Sequence, residues 1–298
     1  MRIGAVSYLN TRPLVFGLQA LAPQHDLIYD LPSRLADQLA AGDLDVALIP
    51  SVENFQNPDY RVISDACIAC RGPVRSVKLL SRVPPESIRT LALDEGSRTS
   101  VALVQILLRE RFDLSPRLVP FPIDAPPESI TADALLMIGD RAMHPPAGEY
   151  VAEWDLGDVW CRWAELPFVF AMWVAGKGSG FRVQGSGFGG QERGDRGQGT
   201  EEELAELATI LNQARDAGVA HVEQISRDEH NRVGLSYHDC LSYLRDHLHF
   251  TLGPRELAGL QLFRDYAITL PSAGTKPGPG APRERPALAQ TGSRFAPG

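Results

Sequence analysis

Over the first 175 residues, short apolar runs of strand length alternate with segments whose apolar positions recur every three or four residues, the helical period. Arg2 to Val6 is a β-rich run. Leu14, Leu18 and Leu21 then share one helical face behind Thr11, and Pro13 is tolerable in a first turn because its missing N–H would have no helical partner there. Leu27 to Tyr29 predicts a second strand. Ser33 predicts an N-cap for a helix over Arg34 to Ala41, closed by Gly42. Asp45 to Ile49 predicts a third strand that ends at Pro50-Ser51, with Ser51 placed to cap a short helix. Val62 to Ala69 and Val77 to Ser81 are further β segments, joined by Arg71-Gly72-Pro73. Val83-Pro84-Pro85-Glu86 breaks the pattern and predicts a crossing between lobes.

Thr90 to Leu93 restarts the alternation. Thr99 or Ser100 is expected to cap an apolar helix with Val101, Val104 and Leu108 on one face. Leu118 to Phe121, Ala134 to Ile138 and Leu166 to Val174 predict further strands, the last returning the chain to the first lobe. This alternation implies a largely parallel sheet with helices on its faces. Two such units joined by a double crossing imply an α/β protein of two lobes around a central cleft. Residues 1–84 with 172–270 would form lobe I, and residues 85–171 lobe II. Ligands of such sheets bind beyond the carboxyl ends of the strands, which puts Ser7 to Thr11, Pro50-Ser51 and Asp94 to Ser100 at one rim.

From Gly176 to Gly199 the chain turns rich in Gly, Gln and Arg, the composition of a flexible insertion. Thr200-Glu201-Glu202-Glu203 then forms a capping box ahead of Leu204, Leu207 and Leu211. Further helices are expected over Ala220 to Arg232, Tyr237 to His247 and Pro254 to Ala267. From Pro271 to Gly298 the chain is Pro/Gly-rich and reads as a disordered tail.

Composition narrows the classes. The 298 residues are 44% hydrophobic, enough for a sizeable core, yet no run reaches the roughly 20 apolar residues of a spanning helix. The opening residues, with polar Ser7 and Asn10 so early, do not read as an export signal, so a cytoplasmic location is expected and no membrane partner. The formal charge of −8 excludes a general basic surface, and nucleic acid with it. A small anion would have to be held by local donors and helix N-termini. Cys67 and Cys70 form a lone C-x-x-C without a second pair, which reads as buried structural thiols, not a zinc site. No metal-binding motif or P-loop spacing is present, and the seven histidines fall in no ligating pattern.

Four segments can carry chemistry. At Ser7-Tyr8-Leu9-Asn10-Thr11, the side chains of Ser7, Asn10 and Thr11 can each offer a hydrogen bond to a ligand, or merely cap the turn that follows. In Gly72-Pro73-Val74-Arg75-Ser76-Val77, Ser76 can face the cleft or be an ordinary edge hydroxyl. Asp94 to Val101 gathers hydroxyls at a helix start, where Thr99, Ser100 and the backbone near Val101 suit a carboxylate. Asp140 ends the strand Ala134 to Ile138 and can orient a donor or cap a turn.

Taken together, Ser-Tyr-Leu-Asn-Thr at 7–11, Leu-Ile-Pro-Ser at 48–51, Gly-Pro-Val-Arg-Ser-Val at 72–77, Ser-Arg-Thr-Ser-Val at 97–101, Ile-Gly-Asp at 138–140 and Leu-Pro-Phe-Val-Phe-Ala at 166–171 resemble the chorismate dehydratase family. The similarity covers roughly residues 2–175 and resumes from 203 to 268; the insertion and the tail depart from the family's compact pattern. The resemblance implies a type-II periplasmic-binding-protein-like fold with added C-terminal helices. It implies conversion of chorismate, a small dianion, to 3-[(1-carboxyvinyl)oxy]benzoate and water in the futalosine route to menaquinone, with no metal or organic cofactor. Asn10 and Ser76 match the catalytic positions, and Thr99 and Ser100 the substrate loop. Ser7, Thr11, Pro50, Ser51, Val77, Val101 and Asp140 complete the expected substrate-contacting set. Two other readings share the fold: a cytosolic small-anion binding protein, and the later futalosine-pathway enzyme, whose N-terminal loop differs from Ser-Tyr-Leu-Asn-Thr. Monomer and homodimer are both compatible with the sequence.

Overall fold

Eleven strands make up the two sheets of the computed structural model, which describes residues 1–144, 146–176 and 200–270. The stretch from 177 to 199 and the tail from 271, where the sequence predicts flexibility, lie outside the described residues. In chain order the strands are β1 (Arg2–Val6), β2 (Asp26–Asp30), β3 (Val46–Pro50), β4 (Arg61–Cys70), β5 (Val77–Ser81), β6 (Thr90–Asp94), β7 (Arg117–Phe121), β8 (Ala134–Ile138), β9 (Ala152–Asp155), β10 (Phe168–Ala175) and β11 (His249–Thr251). The first sheet runs β11-β4-β10-β3-β1-β2 and the second β7-β6-β8-β5-β9.

Both sheets are mixed, where the alternation of elements predicts largely parallel ones. β1 is parallel to β2 and β3, and β6 to β7 and β8, but β10 is antiparallel to β3 and β4, and β5 antiparallel to β8 and β9. The cause is the double crossing. The chain leaves the first sheet along β4 and returns along β10, and the two lie side by side with Phe168 opposite Cys70. The crossing therefore follows Cys70. Val77–Ser81 already pairs in the second sheet, so Val83 to Glu86 is a turn within that sheet, and all of Phe168–Ala175 belongs to the first. β10 is buried at every position, as befits a central strand covered on both faces.

Several helix starts differ from expectation, each for a local reason. The helix over Pro32–Ala41 begins one residue before Ser33, because Pro32 suits the first helical position; Gly42 closes it with φ 77°. The helix Arg98–Phe112 is capped by Ser97, whose Oγ accepts from Ser100 N at 3.2 Å, leaving Thr99 and Ser100 inside the first turn. Ser51 caps nothing; its hydroxyl donates to Val169 O at 2.8 Å. The periodic segment after Thr11 is a 3-10 helix over Leu9–Val15, interrupted at Gly17 (φ 69°) before the short helix Leu18–Leu21.

The capping box at Thr200 and Glu203 is present, and Leu204, Leu207 and Leu211 are buried under the helix Glu201–Ala220. This helix comes so close to the 3-10 segment that a Cβ on Gly218 would stand 1.9 Å from Pro13 O. Only glycine lets the two backbones meet. Phe16 and His221 stack beside them at 4.9 Å. The helices Val222–Glu229, Tyr237–Ser242 and Pro254–Ala267 follow, with one π-helical turn at Tyr243–His247. β9, the helix Leu156–Ala164 and β11 have no counterpart in the periodicity reading; the first and last are four and three residues long, too short to show a period. Cys67 and Cys70 are buried free thiols, and burial holds both well above the ordinary thiol range.

Candidate functional site

The ends of both sheets face one cavity. From the first sheet come Val6, Pro50, Ile68, Phe170 and Ala171, and from the second Val77, Ile138 and Gly139. The polar lining is Tyr8 and Asn10 after β1, Ser76 before β5, and Ser97 and Ser100 at the start of the helix Arg98–Phe112. The empty space is about 480 Å³, counting the part open to solvent. None of the lining residues carries a charged side chain. An anion here would meet hydroxyls, one amide and the N-terminus of a four-turn helix.

Asn10 and Ser76 both lie beside a third residue. Tyr243 Oη donates to Ser76 Oγ at 2.9 Å, and the Asn10 side chain is near enough to the same phenol to lower its pKa slightly against the effect of burial. Tyr243 and Ser76 are 1% and 2% exposed, so this link is sealed from bulk water. Burial is the main cause that pushes the Tyr243 phenol far above its ordinary pKa, and it stays protonated through the physiological range. Asn10 is oriented further by Thr11, whose Oγ1 donates to Asn10 Oδ1 at 3.3 Å. The backbone of Ser76 is fixed too: its N donates to Val74 O at 2.8 Å and its O accepts from Gly139 N at 2.9 Å. Asp155 holds the preceding turn by accepting from Val74 N and Arg75 N, and Arg75 takes a left-handed φ of 63° there.

Tyr8 forms the opposite wall. Its ring fits only because Gly139 lacks a side chain: a Cβ there would lie 2.7 Å from Tyr8 Cζ, and one on Gly96 would lie 3.0 Å from Tyr8 Oη. The Tyr8 Oη is buried and has no hydrogen-bond partner among the described residues. Burial first, and then the nearby Asp94 carboxylate, raise its pKa far above the ordinary value, so it is a donor and not a base. Asp94 is itself occupied: it accepts from Gly96 N at 2.9 Å, Ile138 N at 3.3 Å and Arg141 Nε at 2.9 Å.

Of the residues expected at the site, Asn10, Pro50, Ser76, Val77 and Ser100 line the cavity. The others stand behind its walls. Ser51 and Thr99 are fully buried, 3.4 Å apart, and Thr99 Oγ1 accepts from Val52 N at 3.2 Å, so the pair stitches the end of β3 to the helix Arg98–Phe112. Thr11 acts through Asn10, and Ser7 N donates to Asp30 O at 3.1 Å. Val101 N donates to Ser97 O inside the helix. Asp140 Oδ1 accepts from Leu9 N at 3.0 Å, a clasp between the end of β8 and the segment after β1. Sequence reading overlooks Tyr8, Ser97, Gly139 and Tyr243. Ser97, three residues ahead of Ser100, carries a legible cap signal; Tyr243 carries none, because it belongs to a helical stretch remote in sequence from both Asn10 and Ser76.

Among the described residues no helix is long and apolar enough to cross a membrane, and no group of His, Cys, Asp or Glu could hold a metal ion.

Two mixed sheets with a double crossing, a cleft between their edges and added C-terminal helices define a type-II periplasmic-binding-protein-like fold. Solved structures agree: a protein of Archaeoglobus fulgidus superposes with TM-score 0.66 at 12% identity, over 90% of this chain and 96% of its own. The periplasmic aliphatic sulphonate binding protein SsuA of Escherichia coli does so with TM-score 0.56 at 13% identity, over 96% and 97%. A Candida albicans protein described as having the generic periplasmic binding protein fold gives 0.60 at 10% identity, over 92% and 91%. Residues 1–269 match the family described as menaquinone biosynthesis, and the chain belongs to that family. In sequence it is 27% identical over 292 residues to the chorismate dehydratase of Thermus thermophilus, covering 88% of this chain and 97% of that protein.

Proposed function

We propose that this protein is a chorismate dehydratase, a carbon–oxygen lyase that eliminates water from chorismate to give 3-[(1-carboxyvinyl)oxy]benzoate on the futalosine route to menaquinone. The observation that carries the reading is that Asn10 and Ser76 line one cavity with an uncharged lining, Ser76 held by the buried Tyr243 phenol, in a chain of this family.

The reaction needs little from the protein. The ring carbon bearing the enolpyruvyl ether loses its proton, the neighbouring carbon loses its hydroxyl, and the ring becomes aromatic, so the step runs downhill. The cleft offers no ionised base: its polar lining is an amide and hydroxyls, and Tyr8 is held protonated by burial. The substrate's own enolpyruvyl carboxylate is therefore the proton acceptor. Asn10 holds that carboxylate against the ring C–H, and Ser76 donates a hydrogen bond to the departing hydroxyl. Holding donor, acceptor and leaving group in line supplies several kcal/mol of the barrier reduction. The ring carboxylate lies at Ser97, Ser100 and the adjoining helix N-terminus, where fixed donors need no reorganisation. Phe170, Ile68 and Ile138 cover the ring and exclude water.

Purified protein incubated with chorismate should yield an aromatic enol ether lighter than chorismate by one water, detected by absorbance and mass. Chorismate that is bound but unchanged would instead make the protein a small-anion binder and sink the enzymatic reading.

A further inference from the structure

We infer that Tyr243 is a positioning residue for this reaction, setting the direction of its hydrogen bond to Ser76 so that Ser76 presents its own proton to the cleft. The inference rests on the functional reading above and extends it to a residue from the C-terminal helices.

A hydroxyl has one proton to give. Tyr243 Oη gives its proton to Ser76 Oγ at 2.9 Å. With that lone pair filled, the Ser76 proton is turned away from Tyr243, and Ser76 lines the cavity. The bond from Tyr243 to Ser76 is thus polarised toward the ligand. Without the phenol, Ser76 could rotate its proton inward and would present an acceptor where a leaving hydroxyl needs a donor. The burial that keeps Tyr243 protonated preserves this direction across the physiological pH range.

The backbone around Tyr243 supports the assignment independently. The helix Tyr237–Ser242 widens into a π-helical turn beginning at Tyr243, a geometry that recurs at functional sites. The C-terminal helices are thereby part of the active site, although they belong to neither crossing strand.

The test is a double-mutant cycle on the full chain, measuring kcat and KM for chorismate with wild type, Tyr243→Phe, Ser76→Ala and the double variant. Tyr243→Phe is expected to lower kcat by about tenfold to a hundredfold with KM changed by less than about threefold, the pattern of a lost transition-state interaction. In the Ser76→Ala background the same substitution should cost less than about threefold, because its effect passes through Ser76. A folded Tyr243→Phe with wild-type kcat, or an equal loss in both backgrounds, overturns the inference. A measurement without substitution stands beside it: in wild-type protein the Tyr243 hydroxyl proton should give a slowly exchanging resonance with a nuclear Overhauser contact to the Ser76 methylene, and a fast-exchanging hydroxyl overturns the inference equally. Wild-type protein that leaves chorismate unchanged defeats the functional reading instead, and the hydrogen-bond direction is then judged by the resonance alone.

Discussion

The backbone N–H of Leu9 donates to Asp140 Oδ1 across 3.0 Å, tying the segment that carries Asn10 to the end of β8 in the other sheet. Arg232 from the C-terminal helices approaches the other oxygen of the same carboxylate at 3.9 Å. Asp140 therefore serves the site from behind, by setting the distance between its walls.

Asp140→Ala removes the acceptor and strands the Leu9 N–H. The expected loss is about 1.5–3 kcal/mol of stability, the range for a hydrogen bond to a charged group, with reduced chorismate turnover. Asp140→Asn keeps an acceptor and should lose less of both. Thermal denaturation beside steady-state kinetics decides, and an alanine variant as stable and active as wild type would refute the clasp.

Asn10→Ala and Ser76→Ala should each lower kcat by about a hundredfold or more, the scale of losing a positioned donor, while circular dichroism stays native. If each variant folds and still turns chorismate over at the wild-type rate, the catalytic assignment is wrong.

Tyr8→Phe separates binding from stability. The phenol oxygen is buried without a partner among the described residues, so removing it should leave stability unchanged or raise it slightly. If the ligand is its partner, KM should rise by about tenfold, equivalent to roughly 1.4 kcal/mol. An unchanged KM would take Tyr8 out of ligand contact.

Gly218→Ala would drive a methyl into the Pro13 carbonyl, backbone against backbone, and should cost about 3 kcal/mol or more in urea denaturation. It should also displace the 3-10 segment that holds Asn10, and so depress turnover. Gly72→Ala, where a Cβ meets nothing within 4 Å, is the matched control and should be near neutral. Equal stabilities for the two variants would contradict the close approach.

Burial raises the Asp94 carboxyl above its ordinary range, outweighing Arg141 and the N–H groups of Gly96 and Ile138. The folded protein then retains a proton that the unfolded chain has already released. Stability from this group is fullest below the ordinary carboxylate pKa, near pH 4, and declines as pH rises through the raised value. Asp140 is shifted the same way by burial and adds to the slope. The stability of Asp94→Asn relative to wild type should therefore improve between about pH 4 and neutrality, read from denaturation curves at a series of pH values. A relative stability that worsens with pH would mean that the Asp94 carboxyl is lowered, not raised, by its surroundings.

Much of the framework is legible in the residues. Val77–Ser81, Ala134–Ile138 and Pro254–Ala267 coincide with the predicted elements residue for residue, because an apolar run bounded by turn residues, or a proline at a helix start, is a local cue. The same holds for the rim positions Asn10, Pro50 and Ser100, which sit at or beside element ends that periodicity can locate; Ser76 is left open by the sequence between the cleft and a strand edge. Where the chain crosses is not a local property. Pro84-Pro85 looks like a linker but only turns the chain within one sheet, whereas Arg71 to Ser76, plainer in sequence, carries the crossing.

By itself, then, the sequence determines the alternation of strands and helices, the two-sheet α/β class, and the hydroxyl-rich segments that end at the rim, since each follows from side-chain periodicity and turn chemistry within about ten residues. Only the tertiary structure decides which hydroxyls face the cavity and which lock its walls. Ser51 and Thr99 carry the same chemistry as Ser76 and Ser100, yet they face each other. It also decides that Tyr243 reaches Ser76 beside Asn10. The physical reason is that hydrogen-bond partners are chosen by distance and burial after the chain has folded, and nothing near Tyr243 in the sequence encodes which oxygen it will reach.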